Sequence, residues 1–209
     1  MNPKDLLAKY WKENKIASKE VIKAFLSVPR EEFVLDEYKN YAYDDRPLPI
    51  ISGQTISQPS TVIIMTTALE VKAGNKILEV GAGSGYQAAI LSKLVGIKGK
   101  IISLEIISEL ANFARNKLNK LGIKNVEVIN MDGGEGYAKE TPYDRIIVTA
   151  ASKEILSVWI EQLKENGILL APVGDAYSQE MIKLRKKKRK IETELLGKFM
   201  FVPLTGKIG

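Results

Sequence analysis

The sequence predicts an α/β fold: a doubly wound, mostly parallel seven-stranded sheet preceded by an N-terminal helical segment. Three observations carry that prediction. From Lys76 onward, short apolar runs of strand length alternate with segments whose apolar residues recur at helical spacing. After the first run lies Glu79-Val-Gly-Ala-Gly-Ser-Gly85, a glycine-rich turn of the kind that takes a buried strand into a helix. The next two runs lead to acidic residues, Glu105 and Asp132, at the strand ends where doubly wound sheets bind ligands.

Each element follows in order. Residues 3–28 read as two helices, because Leu6, Leu7, Tyr10 and Trp11, then Val21, Ile22, Phe25 and Leu26, keep helical spacing on either side of a break near 15–18. Ser18 is a candidate cap for the second. Residues 47–59, Pro-Leu-Pro-Ile-Ile-Ser-Gly-Gln-Thr-Ile-Ser-Gln-Pro, are too rich in proline and glycine for regular structure and too apolar for a solvated linker. They predict a packed, shaped loop. Residues 61–71 are helical again and deliver the chain into the first strand. The pattern then predicts strand 76–80, helix 86–95, strand 100–105, helix 108–121, strands 125–130 and 144–149, helix 153–164 and strand 167–172. A last pair near 180–184 and 191–203 adds an antiparallel element. With 209 residues there is enough chain for one substantial core and too little for two, so one domain is expected. Within it, 1–71 supplies helices and a covering loop and 72–209 the sheet.

Composition narrows the chemistry. The chain has neither cysteine nor histidine, which excludes disulfides and thiolate catalysis and removes the commonest metal ligand and general base. No metal is expected. There is no run of 18 apolar residues, and Met1-Asn-Pro-Lys-Asp lacks the apolar core of a signal peptide, so a cytoplasmic protein with no membrane partner is expected. The net charge of +6 suggests nucleic acid, but Lys183-Leu-Arg-Lys-Lys-Lys-Arg-Lys190 holds seven positive charges, more than the whole excess. Lying between the last two candidate strands, that run reads as a solvated hairpin turn, and no nucleic-acid partner is expected.

The glycine turn has the spacing E-x-G-x-G-x-G. A dinucleotide fingerprint would need its third glycine at position 86, which is Tyr86. Gly81, Ala82, Gly83 and Gly85 are expected to bring free backbone N–H groups close to a ligand. Glu105, 24 residues beyond Gly81, can accept from both hydroxyls of a ribose. Asp132 can accept from an adenine amino group while Gly133 lets the ring approach. Each feature alone is common in α/β proteins; three in register on consecutive strand ends predict a site for S-adenosylmethionine. Glu79 and Thr149 also fall at carboxyl ends of strands, and Glu79 is expected among the cofactor-binding residues.

The whole chain also resembles one family, the protein L-isoaspartate (D-aspartate) O-methyltransferases. The likeness runs through Val28-Pro-Arg-Glu-Glu-Phe33, Pro47-Leu-Pro-Ile50, Gly53-Gln-Thr-Ile-Ser-Gln-Pro59, Ile77-Leu-Glu-Val-Gly-Ala-Gly-Ser-Gly-Tyr-Gln-Ala88, Tyr143-Asp-Arg-Ile-Ile-Val-Thr-Ala-Ala151, Leu170-Ala-Pro-Val-Gly174 and Phe201-Val-Pro-Leu-Thr205. Many methyltransferases share the glycine turn; residues 53–59 together with 148–151 single out this family. The resemblance implies a Rossmann-like class I methyltransferase fold with its last strands in swapped order. It implies S-adenosyl-L-methionine as donor and S-adenosyl-L-homocysteine as product. Ser57 would be the active-site serine, with Gln54, Thr55, Ile56 and Ser57 closing over cofactor and substrate. Thr149, Ala150 and Ala151 would line the cleft for the substrate backbone, joined by Pro172, Val173 and Gly174. The implied activity is protein repair, by methylation of the free carboxylate of L-isoaspartyl residues in damaged proteins and peptides, with D-aspartyl residues as a second acceptor. Many members carry a histidine or aromatic residue just after the proline; this chain has Ser60-Thr61, so no role of that ring transfers.

That chemistry suits a chain without histidine. A carboxylate acceptor titrates near ~4 and is already ionised at neutral pH, so methyl transfer needs no general base. Ser57 is expected to orient the acceptor oxygen, not to act as a nucleophile. Two other readings stand beside this one. A nucleic-acid methyltransferase using the basic turn lacks an Asn-Pro-Pro-Tyr-type amine site or a catalytic cysteine, and a non-catalytic cofactor-binding adaptor is argued against by the complete set of glycines and acids.

Overall fold

A computed structural model describes residues 2–207. Helix α1 (Pro3–Glu13) starts at Asn2, whose side chain accepts the Asp5 N–H, and α2 (Lys19–Ser27) starts at Ser18, whose hydroxyl accepts the Val21 N–H. Trp11 and Phe25 from these helices are fully buried and meet edge to face.

The following stretch is more regular than its composition suggests. Strands β1 (Leu48–Pro49) and β2 (Thr55–Ile56) pair antiparallel, Leu48 opposite Ile56 and Pro49 opposite Thr55. The turn between them passes through left-handed backbone at Ser52 and Gly53. A two-residue ladder closed by such a turn leaves almost no periodic signal in the sequence. Helix α3 spans Pro59–Ala68 instead of 61–71: Pro59 suits the first helical position, and Glu70 at φ +51° ends the run.

The sheet then forms from β3 (Lys76–Val80), β4 (Lys100–Glu105), β5 (Val126–Asn130), β6 (Tyr143–Val148), β7 (Leu163–Gly174), β8 (Gln179–Lys187) and β9 (Lys190–Phe199), in the order β5-β4-β3-β6-β7-β8-β9. Its first five strands in that order run parallel, and β8 is antiparallel to both neighbours. The last strand therefore sits at the edge, beyond its predecessor. Helices α4 (Tyr86–Val95), α5 (Ser108–Lys120) and α6 (Ser157–Gln162) are the crossovers after β3, β4 and β6.

Strand alternation divides the interior. Ile77, Ile101, Ile147 and Ile168 face α3 and α4 with Met65, Leu69, Ala88 and Leu91, while Leu78, Ile102, Ile146 and Leu169 face Trp159 of α6. The N-terminal helices pack outside α4 and α5 in a third cluster.

Two predicted boundaries shift for nonlocal reasons. The helix expected over 153–164 shrinks to 157–162, because Ser152 bridges Val173 and its hydroxyl bonds Glu154, holding that stretch extended. The strand expected to run to 203 stops at Phe199. Beyond it the chain leaves β8 and Pro203 bridges Ala151 instead.

Candidate active site

At the carboxyl ends of β3, β4 and β6 lies a cleft that, with its open mouth, encloses about 900 Å³. Its floor is the glycine turn with Leu104, Glu105, Gly133, Thr149 and Ala150; its roof is residues 54–57 on one side and 201–205 on the other. A second cleft of about 380 Å³, lined by Pro47, Gln58, Thr61 and Met200, continues beyond it. The two share Thr55, Ser57, Thr149, Phe201 and Val202 as their common wall.

The floor is held by hydrogen bonds between strand ends. The Thr149 N–H donates to the Val80 carbonyl at 2.9 Å, and its hydroxyl reaches the carbonyls of Val80 (3.0 Å) and Gly81 (2.6 Å). Gly81 has φ +96°, and a Cβ there would lie 2.5 Å from the Thr149 hydroxyl, so no other residue fits beside Thr149. At Gly133 a Cβ would run into Val80, which explains that glycine as close packing under the floor.

Glu105 is almost fully buried, and both its oxygens are fixed by backbone: Oε2 accepts the Gly83 N–H at 2.9 Å and Oε1 the Ile107 N–H at 3.0 Å. Each oxygen keeps a further lone pair for a ligand. The cleft wall next to Glu105 is apolar, made by Ile106, Ile107 and Leu110.

Of the residues singled out from the sequence, Gln54, Thr55, Ile56, Ser57, Gly81, Ala82, Gly83, Glu105, Gly133, Thr149 and Ala150 border the cleft. Others do not. Glu79 is fully buried beneath the turn, where Ser103 donates to Oε2 while Oε1 has no partner among the described residues. Burial, reinforced by the charge of Glu105 and opposed by the Ser103 bond, pushes its carboxyl up to about 8. Gly85 caps α4 and packs on Ala114 and Leu118. Asp132 accepts the Gly134 N–H and, at 2.8 Å, the Lys207 N–H, so the C-terminal segment covers its carboxylate. Pro172, Val173 and Gly174 pair with β8 and bond Ser152, and Ala151 exchanges bonds with Val202 and Leu204; all four support the wall from behind.

The expectation of free N–H groups in the turn is also corrected. Gly81 and Ala82 both donate to the Leu104 carbonyl, Gly83 to Glu105 and Gly85 to Ala82, because the turn is stitched to the end of β4.

Sequence reasoning missed residues 201–205 as a wall. Pro203, which has no N–H for a ladder, was the available signal. It also missed Ile106, whose signal is an apolar residue, 38% exposed, directly after a strand-end carboxylate. Among the described residues no group of acidic side chains could hold a metal ion, and no helix is long and apolar enough to cross a membrane.

Comparison with known proteins agrees with this geometry. The family model described as Protein-L-isoaspartate(D-aspartate) O-methyltransferase matches residues 1–209. Protein-L-isoaspartate O-methyltransferase 2 of Archaeoglobus fulgidus is 46% identical over 99% of this chain and 94% of its own length. A solved protein-L-isoaspartate O-methyltransferase superposes with a TM-score of 0.91 at 31% identity, covering 99% of this chain and 67% of that one. A Plasmodium falciparum protein of the same description, solved in complex with S-adenosyl-L-homocysteine, gives 0.83 at 27% identity, over 98% and 99% of the two chains.

Proposed function

The chain belongs to the protein-L-isoaspartate (D-aspartate) O-methyltransferase family, and from that premise we propose how its two clefts divide the reaction. The protein is an S-adenosylmethionine-dependent methyltransferase acting on isoaspartyl residues of damaged proteins and peptides. In our reading the larger cleft takes the methyl donor, the smaller one the isoaspartyl segment, and the shared wall of Ser57 and Thr149 is where they meet. The single observation that carries it is this junction of two clefts at the hydroxyl-bearing residues.

The donor's chemistry is that of a sulfonium, whose methyl carbon is open to displacement. This chain's residues do the rest. Glu105, locked by two backbone N–H groups, faces the ribose hydroxyls with its remaining lone pairs, and Ile106, Ile107 and Leu110 offer an apolar wall for the adenine ring. Ser57 donates to one acceptor carboxylate oxygen and turns the other toward the methyl carbon. An O–C bond forms as the C–S bond breaks, giving a methyl ester and a neutral thioether. No proton moves, so no base is needed. Opposite charges vanish in this step, which a cleft roofed against water favours.

The acceptor is peptide, not nucleic acid. Four of the seven charges in the basic run are already engaged: Lys183 and Arg185 with Glu70, Lys186 with the Ile160 and Leu163 carbonyls, and Lys190 with Glu192. A cytoplasmic location and a single 209-residue unit belong to the same reading.

Ser57→Ala tests the assignment. A bond to a charged group is worth roughly 1.5–3 kcal/mol, so kcat should fall by about one to two decades while KM changes little. A raised KM at unchanged kcat would move Ser57 from alignment to simple binding.

A further inference from the structure

Ser57 is followed by α3, whose first turn is anchored from outside by groups the methyl transfer does not use. Gln58 at the helix cap makes no side-chain cap bond. Asp45 supplies one instead: Oδ1 accepts the Ser60 N–H at 2.8 Å, and Oδ2 accepts the Ser60 hydroxyl at 2.7 Å. The same hydroxyl accepts the Trp11 indole N–H at 2.9 Å. An indole nitrogen only donates and a carboxylate only accepts, so the one hydroxyl proton of Ser60 is committed to Asp45. The bonds therefore run from Trp11 through Ser60 to Asp45, in one direction only.

The Trp11 end of this chain is buried, and the Asp45 end lies at the exposed surface. Trp11 is fully buried, with its ring 4.8 Å from that of Phe25. At the other end a carboxylate at a helix N-terminus is electrostatically favoured. Upstream of Ser57 the β1–β2 ladder holds Ile56 opposite Leu48. Only Ser57, Gln58 and Pro59 lie between the ladder and the Ser60 anchor, and the ring of Pro59 fixes its own φ.

We propose that Asp45 is a positioning residue for methyl transfer, holding the Ser57 hydroxyl at the junction of the two clefts through its bonds to Ser60, which Trp11 orients. The inference rests on the reading of Ser57 as the residue that aligns the acceptor. A helix cap of purely structural value would move the melting temperature and leave alignment alone.

The test measures methyl transfer to an isoaspartyl peptide by Asp45→Ala, Asp45→Asn, Ser57→Ala and the Asp45/Ser57 double variants. Melting temperature and S-adenosylhomocysteine affinity are followed alongside. Misplacement on the order of 1 Å can cost about 10²-fold, so Asp45→Ala should lower kcat about tenfold or more with cofactor affinity nearly unchanged. Asp45→Asn, whose carbonyl still accepts the Ser60 N–H, should lose less, and it carries the same cycle if Asp45→Ala fails to fold. In the Ser57→Ala background the Asp45 substitution should cost nothing further, because the hydroxyl it positions is gone. An equal multiplicative loss in both backgrounds, or a melting shift without a change in kcat, overturns the proposal and leaves Ser57 in its role. An unchanged kcat in Ser57→Ala itself overturns the serine reading, and this proposal with it.

Discussion

The floor and the roof of the cleft are built on different principles. The floor consists of parallel strand ends stitched by backbone bonds, such as Gly81 and Ala82 on Leu104 and Thr149 on Val80. The roof comes from two stretches far apart in sequence, 47–60 and 201–207, held by a two-residue ladder, the Ala151–Pro203 bridge and a few side-chain bonds. A floor of this kind fixes where a cofactor lies; a roof of this kind decides how a second substrate meets it. Disturbing the floor should therefore change cofactor affinity or stability, and disturbing the roof should change kcat.

The largest effect on the floor should come from Glu105→Ala. Loss of a hydrogen bond to a charged acceptor costs roughly 1.5–3 kcal/mol, which corresponds to about one to two decades in S-adenosylhomocysteine affinity by calorimetry. The substitution also strips the Gly83 and Ile107 N–H groups of their acceptor, so the loss should reach the upper part of that range. Unchanged affinity would remove Glu105 from the cofactor site.

Glu79 gives a smaller effect, on stability and with a definite sign. Its carboxyl titrates at about 8 in the folded protein against 4.5 for an ordinary glutamate. The native state thus favours the neutral acid, a contribution complete below about 4.5 and lost as pH rises through about 8. Glu79→Gln keeps a neutral group there at every pH. Its melting temperature relative to the parent should rise steadily between pH 5 and pH 8, and a difference that stays constant would show that Glu79 is already ionised in the fold.

The smallest effect should lie outside both regions. Replacing Lys187, Lys188 and Arg189 with serine should leave turnover of a neutral isoaspartyl peptide nearly intact, since these are the charges of the basic run not engaged in the bonds described above. Tight RNA binding that activity depends on would return the nucleic-acid reading. Lys186 is different, because it closes carbonyls at the end of α6.

The same contrast governs what could be read from the sequence. The strands at 76–80 and 100–105 and the helix at 86–95 appear with the predicted bounds, because each is set by its own apolar period and flanking glycines. Glu105 was legible for the same reason: a side chain at the end of its own strand needs no distant partner to reach the ligand side. Asp132 looked equivalent, yet it does not border the cleft, because the C-terminal segment lies over its carboxylate, with the Lys207 N–H, 75 residues away, donating to Oδ2. Glu79 is fully buried within a strand covered on both faces, and nearness to a strand end alone does not reveal whether a carboxylate reaches the ligand side. The roof was legible only in part: composition marks 47–59 as a packed loop and Pro203 marks the end of a ladder, but the bonds joining Asp45, Ser60 and Trp11 follow from no local pattern.

The central claim is that the junction at Ser57 and Thr149 aligns one particular carboxylate. It is tested most directly by transfer of labelled methyl from S-adenosylmethionine to an isoaspartyl peptide and to its aspartyl twin of otherwise identical sequence. The aspartyl side chain sets its carboxylate one methylene off the required line, and a displacement on the order of 1 Å can cost about 10²-fold. The account predicts a kcat/KM for the isoaspartyl peptide higher by about that factor; equal methylation of the twins would contradict it.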